Sequence, residues 1–177
     1  MAGMKALILG GVRSGKSRHA GEMAAQLGTV VTLIATGTAL DDEMAARIEA
    51  HRRSRPSHWR VVEEPLQLGL ALRAAAALDR VIIVDCLTLW ITNLLCSADS
   101  HALAREVRGL FESLETLPGH CLFVANEVGL GIMPVNALAR RFADEAGMLQ
   151  QRLAARCDRV VFMVAGLPWS VKPAGAT

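Results

Sequence analysis

The sequence lacks any C-x-x-C pair: Cys86, Cys96, Cys121 and Cys157 stand far apart. That spacing signals neither a zinc site nor a redox dithiol. The four thiols read as small buried apolar residues of a reducing compartment, not as a disulfide framework. An excess of one charge is also missing. Against 19 basic residues stand 17 acidic ones, a net charge of +2. This excludes a broad nucleic-acid surface and leaves room for a local basic cluster. There is no internal repeat and no linker rich in Pro, Gly or Ser. The longest apolar stretch, "VIIVDCLTLWITNLL" (81–95), is interrupted by Asp85 and Asn93 and is too short to span a bilayer. The opening "MAGMKALILGG" runs into a glycine loop, not a cleavage site, unlike a signal peptide. These absences predict a cytoplasmic chain with no membrane insertion and no nucleic-acid partner.

What is present is a core. Hydrophobic residues make up 52% of the 177 and charged ones 20%, so residues 1–177 read as a single globular domain. Five apolar or β-branched runs, at 5–9, 30–35, 80–84, 121–125 and 159–165, predict buried parallel strands, apolar on both faces. Weaker edge candidates lie at 59–62 and 169–172. Helical patterns fill 16–27, 41–53, 66–78, 87–96, 101–116 and 136–156. The helix at 41–53 opens with Asp41, Asp42 and Glu43 and closes with arginines, charges that suit its two ends. Such alternation predicts a three-layer α/β domain with a mostly parallel central sheet of about six or seven strands and right-handed crossovers. Ligands then bind beyond the carboxyl ends of the strands.

Residues 10–17, "GGVRSGKS", match G-x-x-x-x-G-K-[ST] in full and lie between a strand and a helix, the context that motif requires. Gly10, Gly11 and Gly15 let the backbone curl, so that the N–H groups of Gly11, Val12, Arg13, Ser14 and Gly15 can point at phosphate oxygens. Lys16 reaches the β- and γ-phosphates, and Ser17 offers a hydroxyl to Mg²⁺. Asp85 ends the run "VIIVD", where it can hold the same metal, or else cap a helix. These residues predict a nucleoside triphosphate and Mg²⁺. The N-K-x-D and D-x-x-G motifs of a regulatory GTPase are absent: "NEVG" (126–129) has glutamate for lysine and "DCLT" (85–88) lacks the glycine. A motor or recombinase-type ATPase usually needs more chain. A small-molecule transferase fits the length, and a non-catalytic nucleotide-binding module stays open.

The stretch "ARIEAHRRSRPSHW" (46–59) sets His51 among Arg47, Arg52, Arg53 and Arg55. On an ideal helix Arg47, His51 and Arg55 form a ladder, provided the last turn persists to Pro56. Arginine forks suit phosphate oxygens. They also disfavour a second positive charge and so keep a nearby imidazole neutral and nucleophilic. Composition alone equally allows a solvated basic face. His58 could touch ligand. His19, His101 and His120 read as packing, capping or surface residues, and Trp59 and Trp90 as core. Asn126 and Glu127 follow a strand, where they can touch an acceptor or the metal, or simply close a turn.

Five segments together resemble the bifunctional adenosylcobinamide kinase / adenosylcobinamide-phosphate guanylyltransferase family of cobalamin biosynthesis. They are "GGVRSGKSRHAGE" (10–22), "IATGTALDDEMAARIEAHRRSRPSHWRVVEEP" (34–65), "VDCLTLWITNLL" (84–95), "NEVGLGIMP" (126–134) and "GMLQQRLAARCDRVVFMVAGLP" (147–168). The resemblance implies a RecA-like P-loop core and a homotrimer. It implies phosphorylation of adenosylcobinamide by ATP or GTP, then transfer of GMP from GTP to adenosylcobinamide phosphate through a guanylylated histidine. His51 matches that histidine. The implied nucleotide contacts are residues 10–17, Thr36, Gly37, Thr38, Arg52, Arg53, Ser54, Arg55, Glu63 and Asp85. Another P-loop kinase of a small alcohol is the alternative.

Overall fold

The computed structural model describes residues 3–28, 30–39, 41–53 and 55–173, without the side chains of Met44, Arg47 and His51. Among these residues the chain runs β1 (Lys5–Gly10), α1 (Lys16–Leu27), β2 (Val30–Ala35), α2 (Asp42–Arg53), β3 (Arg60–Glu63), α3 (Leu68–Ala75), β4 (Arg80–Asp85), α4 (Leu87–Leu95), α5 (Ala102–Thr116), β5 (His120–Asn126), α6 (Ala137–Arg156), β6 (Arg159–Val164) and β7 (Leu167–Lys172). The strands form one seven-stranded sheet in the order β3-β2-β4-β5-β1-β6-β7. Every neighbouring pair is parallel except β6 with β7.

The apolar runs become central strands because consecutive side chains enter two separate cores. Leu7, Ile82 and Phe123 pack on one face with α3, α4, α5 and α6, through Leu72, Trp90, Leu110, Leu149 and Leu153. Their chain neighbours Ile8, Ile83 and Val124 pack on the other face with Ala20, Met23 and Ala24 of α1. Each such leucine or isoleucine, fully buried, stabilises the fold by about 1.5–3 kcal/mol. The result is an α/β three-layer fold with all its main strands covered on both sides.

Local chemistry moves several boundaries. Helix α2 ends at Arg53, short of Pro56, and the chain turns with Arg55 N donating to Arg52 O. The Arg47–His51–Arg55 ladder therefore does not extend to Arg55. Helix α3 starts at Leu68 because the Glu64 carboxylate accepts from Leu66 N and Gln67 N, holding 64–67 as a turn. It stops at Ala75, since Ala76 is already extended. The run expected as a strand over 159–165 ends at Val164. Ala165 (φ 52) and Gly166 (φ 82) make a two-residue hairpin, whose positive φ values match the strand twist, and lead back into β7. Cys86, Cys121 and Cys157 are buried as expected, but Cys96 is exposed, because it lies at the end of α4 beyond the last buried turn.

Candidate functional site

The loop between β1 and α1 is shaped by glycine where side chains cannot fit. At Gly10 (φ 149) a Cβ would lie 2.6 Å from Met163 O and 2.7 Å from Ser14 Oγ. Gly15 (φ 95) is the N-cap of α1. Gly11, Val12 and Arg13 form the exposed tip, while Ser14 and Lys16 are buried and Ser17 is half-buried. Lys16 Nζ donates to Gly11 O at 2.5 Å and to Ser14 Oγ at 3.4 Å, so the ammonium lies under the loop's own curve. Burial pulls the Lys16 pKa below its ordinary 10.5, and Cys86 and Asp85 work against that shift.

Neighbouring strands brace the loop. Glu127 N, just past β5, donates to Gly10 O at 3.0 Å. Gly166 N in the β6–β7 turn donates to Ser14 O at 3.1 Å, and Arg18 Nη2 donates to Gly166 O at 3.3 Å.

Asp85, the last residue of β4, is half-buried. One strand, β5, separates β4 from β1, yet the Asp85 carboxylate acts on Lys16 and on Arg55 alike. The Asp85 side chain does not cap α4, whose N-cap is Cys86. Arg55 is half-buried, and its pKa is lowered by that burial. The Asp85 charge opposes the shift, Arg52 adds to it, and Glu63 opposes it again. The arginines are thus sorted by partner. Arg52 pairs with Glu63, Arg53 pairs with Glu49 at 3.0 Å, and Arg55 is coupled to Asp85. Ser54 and the side chain of His51 lie outside the described residues; the His51 backbone is in the last turn of α2.

Thr36 is fully buried, and its hydroxyl serves the backbone. It donates to Cys86 O at 2.7 Å and accepts from Cys86 N at 3.0 Å. Asn93 Nδ2 donates to Thr36 O at 2.7 Å and to Pro65 O at 3.1 Å. These bonds lock together the chain leaving β2, the chain leaving β4 and the entry to α3. Gly37 lies against Leu89 and Ile48, the α2 residue that anchors that helix, and Thr38 is exposed. On the other side of Asp85, Asn126 N donates to Thr88 Oγ1 at 2.7 Å and Gln150 Nε2 donates to Asn126 O at 2.9 Å. Trp90 is core, its Nε1 donating to Leu66 O. His120 accepts from Met4 N.

The structure therefore gathers residues 10–17, Asp85 and Arg55 along the edge formed by the carboxyl ends of the strands. It adds Arg18, Gly166, Asn93 and Thr88, which sequence reading did not single out. Their roles depend on partners more than 35 positions away, apart from Asn93 to Pro65 and the local bond within α4. A cavity of about 390 Å³ between α5 and α6 shares no residue with this edge. Chemically, the edge offers backbone N–H groups, a lysine, a hydroxyl, a carboxylate and a guanidinium: a polyphosphate cradle.

A family model described as cobinamide kinase / cobinamide phosphate guanyltransferase matches residues 6–171. The chain is 53% identical over 169 residues to the bifunctional adenosylcobalamin biosynthesis protein CobP of Pseudomonas aeruginosa, covering 96% of this chain and 98% of that one. It is 41% identical over 182 residues to the bifunctional adenosylcobalamin biosynthesis protein CobU of Salmonella typhimurium, covering 96% and 100%. A prototypical ATPase of a bacterial type III secretion system superimposes with a TM-score of 0.51 at 14% identity, covering 96% of this chain and 57% of that one. That last likeness is one of fold.

Proposed function

The chain belongs to the cobinamide kinase / cobinamide phosphate guanyltransferase family, and from that premise we propose how its residues share the two transfers. The protein is a bifunctional enzyme of adenosylcobalamin biosynthesis. As a kinase it phosphorylates the hydroxyl of the cobinamide arm. As a guanylyltransferase it moves GMP onto that phosphate. The observation that carries the assignment of residues is the burial of Lys16 under the glycine loop, its Nζ donating to Gly11 O and Ser14 Oγ, with Asp85 ending β4 one strand removed from β1.

In the kinase step the donor is ATP or GTP. The N–H groups of residues 10–17 and the Lys16 ammonium hold the β- and γ-phosphates and neutralise charge as it shifts to the leaving oxygen. The described residues contain no group of three or more His, Cys, Asp or Glu suited to a metal. Ser17 and Asp85 instead offer one hydroxyl and one carboxylate, a hard oxygen set that suits Mg²⁺ completed by phosphate and water. Mg²⁺ held by Ser17 and Asp85 would neutralise phosphate charge during transfer.

In the guanylyl step an imidazole nitrogen of His51 attacks the α-phosphorus of GTP. The bond to pyrophosphate breaks, and the imidazole proton is lost to solvent. A phosphate oxygen of adenosylcobinamide phosphate then attacks the same phosphorus, the P–N bond breaks as the imidazole takes a proton back from solvent, and adenosyl-GDP-cobinamide leaves. Arg52, Arg53 and Arg55 neutralise the triphosphate, while Thr36, Gly37, Thr38, Ser54 and Glu63 shape the nucleotide's surroundings. The same reading gives a homotrimer working in the cytoplasm.

The test is to incubate the protein with Mg²⁺ and GTP labelled in the α-phosphate, then denature it. Acid-labile, alkali-stable label is expected on the wild type and none on His51→Ala. Equal labelling of both proteins would sink the covalent assignment.

A further inference from the structure

We propose that residues 128–135, the connection from β5 to α6, are the docking surface for the corrin ring of the acceptor. This rests on the kinase and guanylyltransferase reading above and adds to it the place where the bulk of the substrate lies.

The segment begins at the phosphate loop. Asn126 is in register with Gly10, and Glu127 N donates to Gly10 O at 3.0 Å. Both ends are held by polar bonds. Gly129 N donates to the Glu127 carboxylate at 2.5 Å. Asn136 Oδ1 accepts from Leu138 N at 2.8 Å and Ala139 N at 3.2 Å, capping α6. Arg140 Nη1 reaches back to Pro134 O at 3.1 Å and to Val135 O. Between these anchors the side chains face outward: Leu130 is 82% exposed, Ile132 98%, Met133 60% and Val135 96%. A tethered segment that presents four large apolar side chains beside a nucleotide site marks a binding surface.

Charge divides the edge of the sheet. On the β2 and β4 side stand Arg52, Arg53 and Arg55, which suit a polyphosphate. Residues 128–135 read "VGLGIMPV", with no charge at all. The acceptor has the complementary division. Its reacting hydroxyl sits at the end of a short arm and must reach the γ-phosphate over residues 10–17. The rest is a large ring system edged with methyl groups and amide side chains. With the arm at the phosphate loop, the ring overhangs an adjoining segment, and this one matches its apolar edge. Asn126, whose side-chain amide makes no hydrogen bond among the described residues, stands where the arm must cross and can pair with its amides.

The test uses the full chain carrying Leu130→Asn with Ile132→Asn, and Leu78→Asn as a control for an exposed leucine at the opposite end of β4. Kinase turnover is measured against adenosylcobinamide and against nucleotide, with molecular mass by sedimentation and the thermal midpoint as a check on folding. The double variant is expected to raise the KM for adenosylcobinamide by about tenfold or more, from loss of apolar burial. Its KM for nucleotide, mass and midpoint should match wild type, and Leu78→Asn should match wild type throughout. An acceptor KM within about twofold of wild type would overturn the proposal. So would a lowered mass, which would make the surface a contact between copies of the chain. Wild-type protein that transfers nothing to adenosylcobinamide would remove the function beneath the proposal, whereas an active wild type with an unchanged double variant removes the proposal alone.

Discussion

Lys16 is a cation in a place that penalises charge. Its burial lowers the pKa, with Cys86 and Asp85 opposing. The unfolded chain then holds the Lys16 proton more tightly than the folded one. Stability therefore rises with pH as the window from the lowered folded value up to 10.5 is crossed. Lys16→Met should lack that rise, keep a thermal midpoint at neutral pH no lower than wild type, and lose about 10²-fold or more in turnover. Thermal scans across pH and kinase assays check both parts. A variant that unfolds early while retaining turnover would place Lys16 in the fold and not in the chemistry. The arginines of the basic cluster differ at the same scale. The Arg52–Glu63 and Arg53–Glu49 pairs are largely exposed and contribute less than about 1 kcal/mol each.

At the scale of elements, what matters is how the strand ends are tied. Thr36 closes β2 against β4 with one hydroxyl that satisfies both the N–H and the C=O of Cys86. Thr36→Val keeps the volume and strands the buried Cys86 N–H, while Cys86 O keeps its bond from Trp90 N, so it should lower unfolding stability by about 1–3 kcal/mol. Thr36→Ser should recover most of that loss. Denaturant titration measures both, and equal stability of the valine and serine variants would show that the hydroxyl does nothing there. Element boundaries were legible wherever the chemistry was local. The apolar runs of β1, β2, β4 and β5 and the acid-first, base-last charge order of α2 are in plain view in the sequence. The β6–β7 hairpin was not, because Ala165–Gly166 replaces the Asn-Gly or Asp-Gly that usually announces a two-residue turn. Helix α3 came out shorter than its apolar pattern, because the Glu64 side chain captures two N–H groups that a longer helix would need.

For the molecule as a whole, burial decides reactivity. Burial pushes the Cys157 thiol up to about 12, and Cys121 and Cys86 are raised as well, also chiefly by burial. A thiol reagent applied to the native protein should modify one cysteine per chain, the exposed Cys96. Cys96→Ser should abolish that fast reaction, and denaturant should release the three buried thiols. Fast reaction of more than one thiol in native protein would contradict the packing of the two cores.

The phosphate loop and the identity of the main strands were determined by the sequence alone. Glycine spacing and unbroken apolar runs express constraints that act within a few residues. The order of the strands was decided by tertiary structure, because pairing over long separations leaves no local mark. That order puts β5 between β1 and β4 and still lets Asp85 act on Lys16. The sorting of the arginines is of the same kind. Four of them crowd "ARIEAHRRSRPSHW", but only the end of α2 at Arg53 and the turn after it couple Arg55 to Asp85, while Arg52 and Arg53 pair with Glu63 and Glu49. Likewise the role of Thr36 is set by Cys86, a backbone fifty positions on, and charge and hydrogen bonding reach their partners only after the sheet has brought them together.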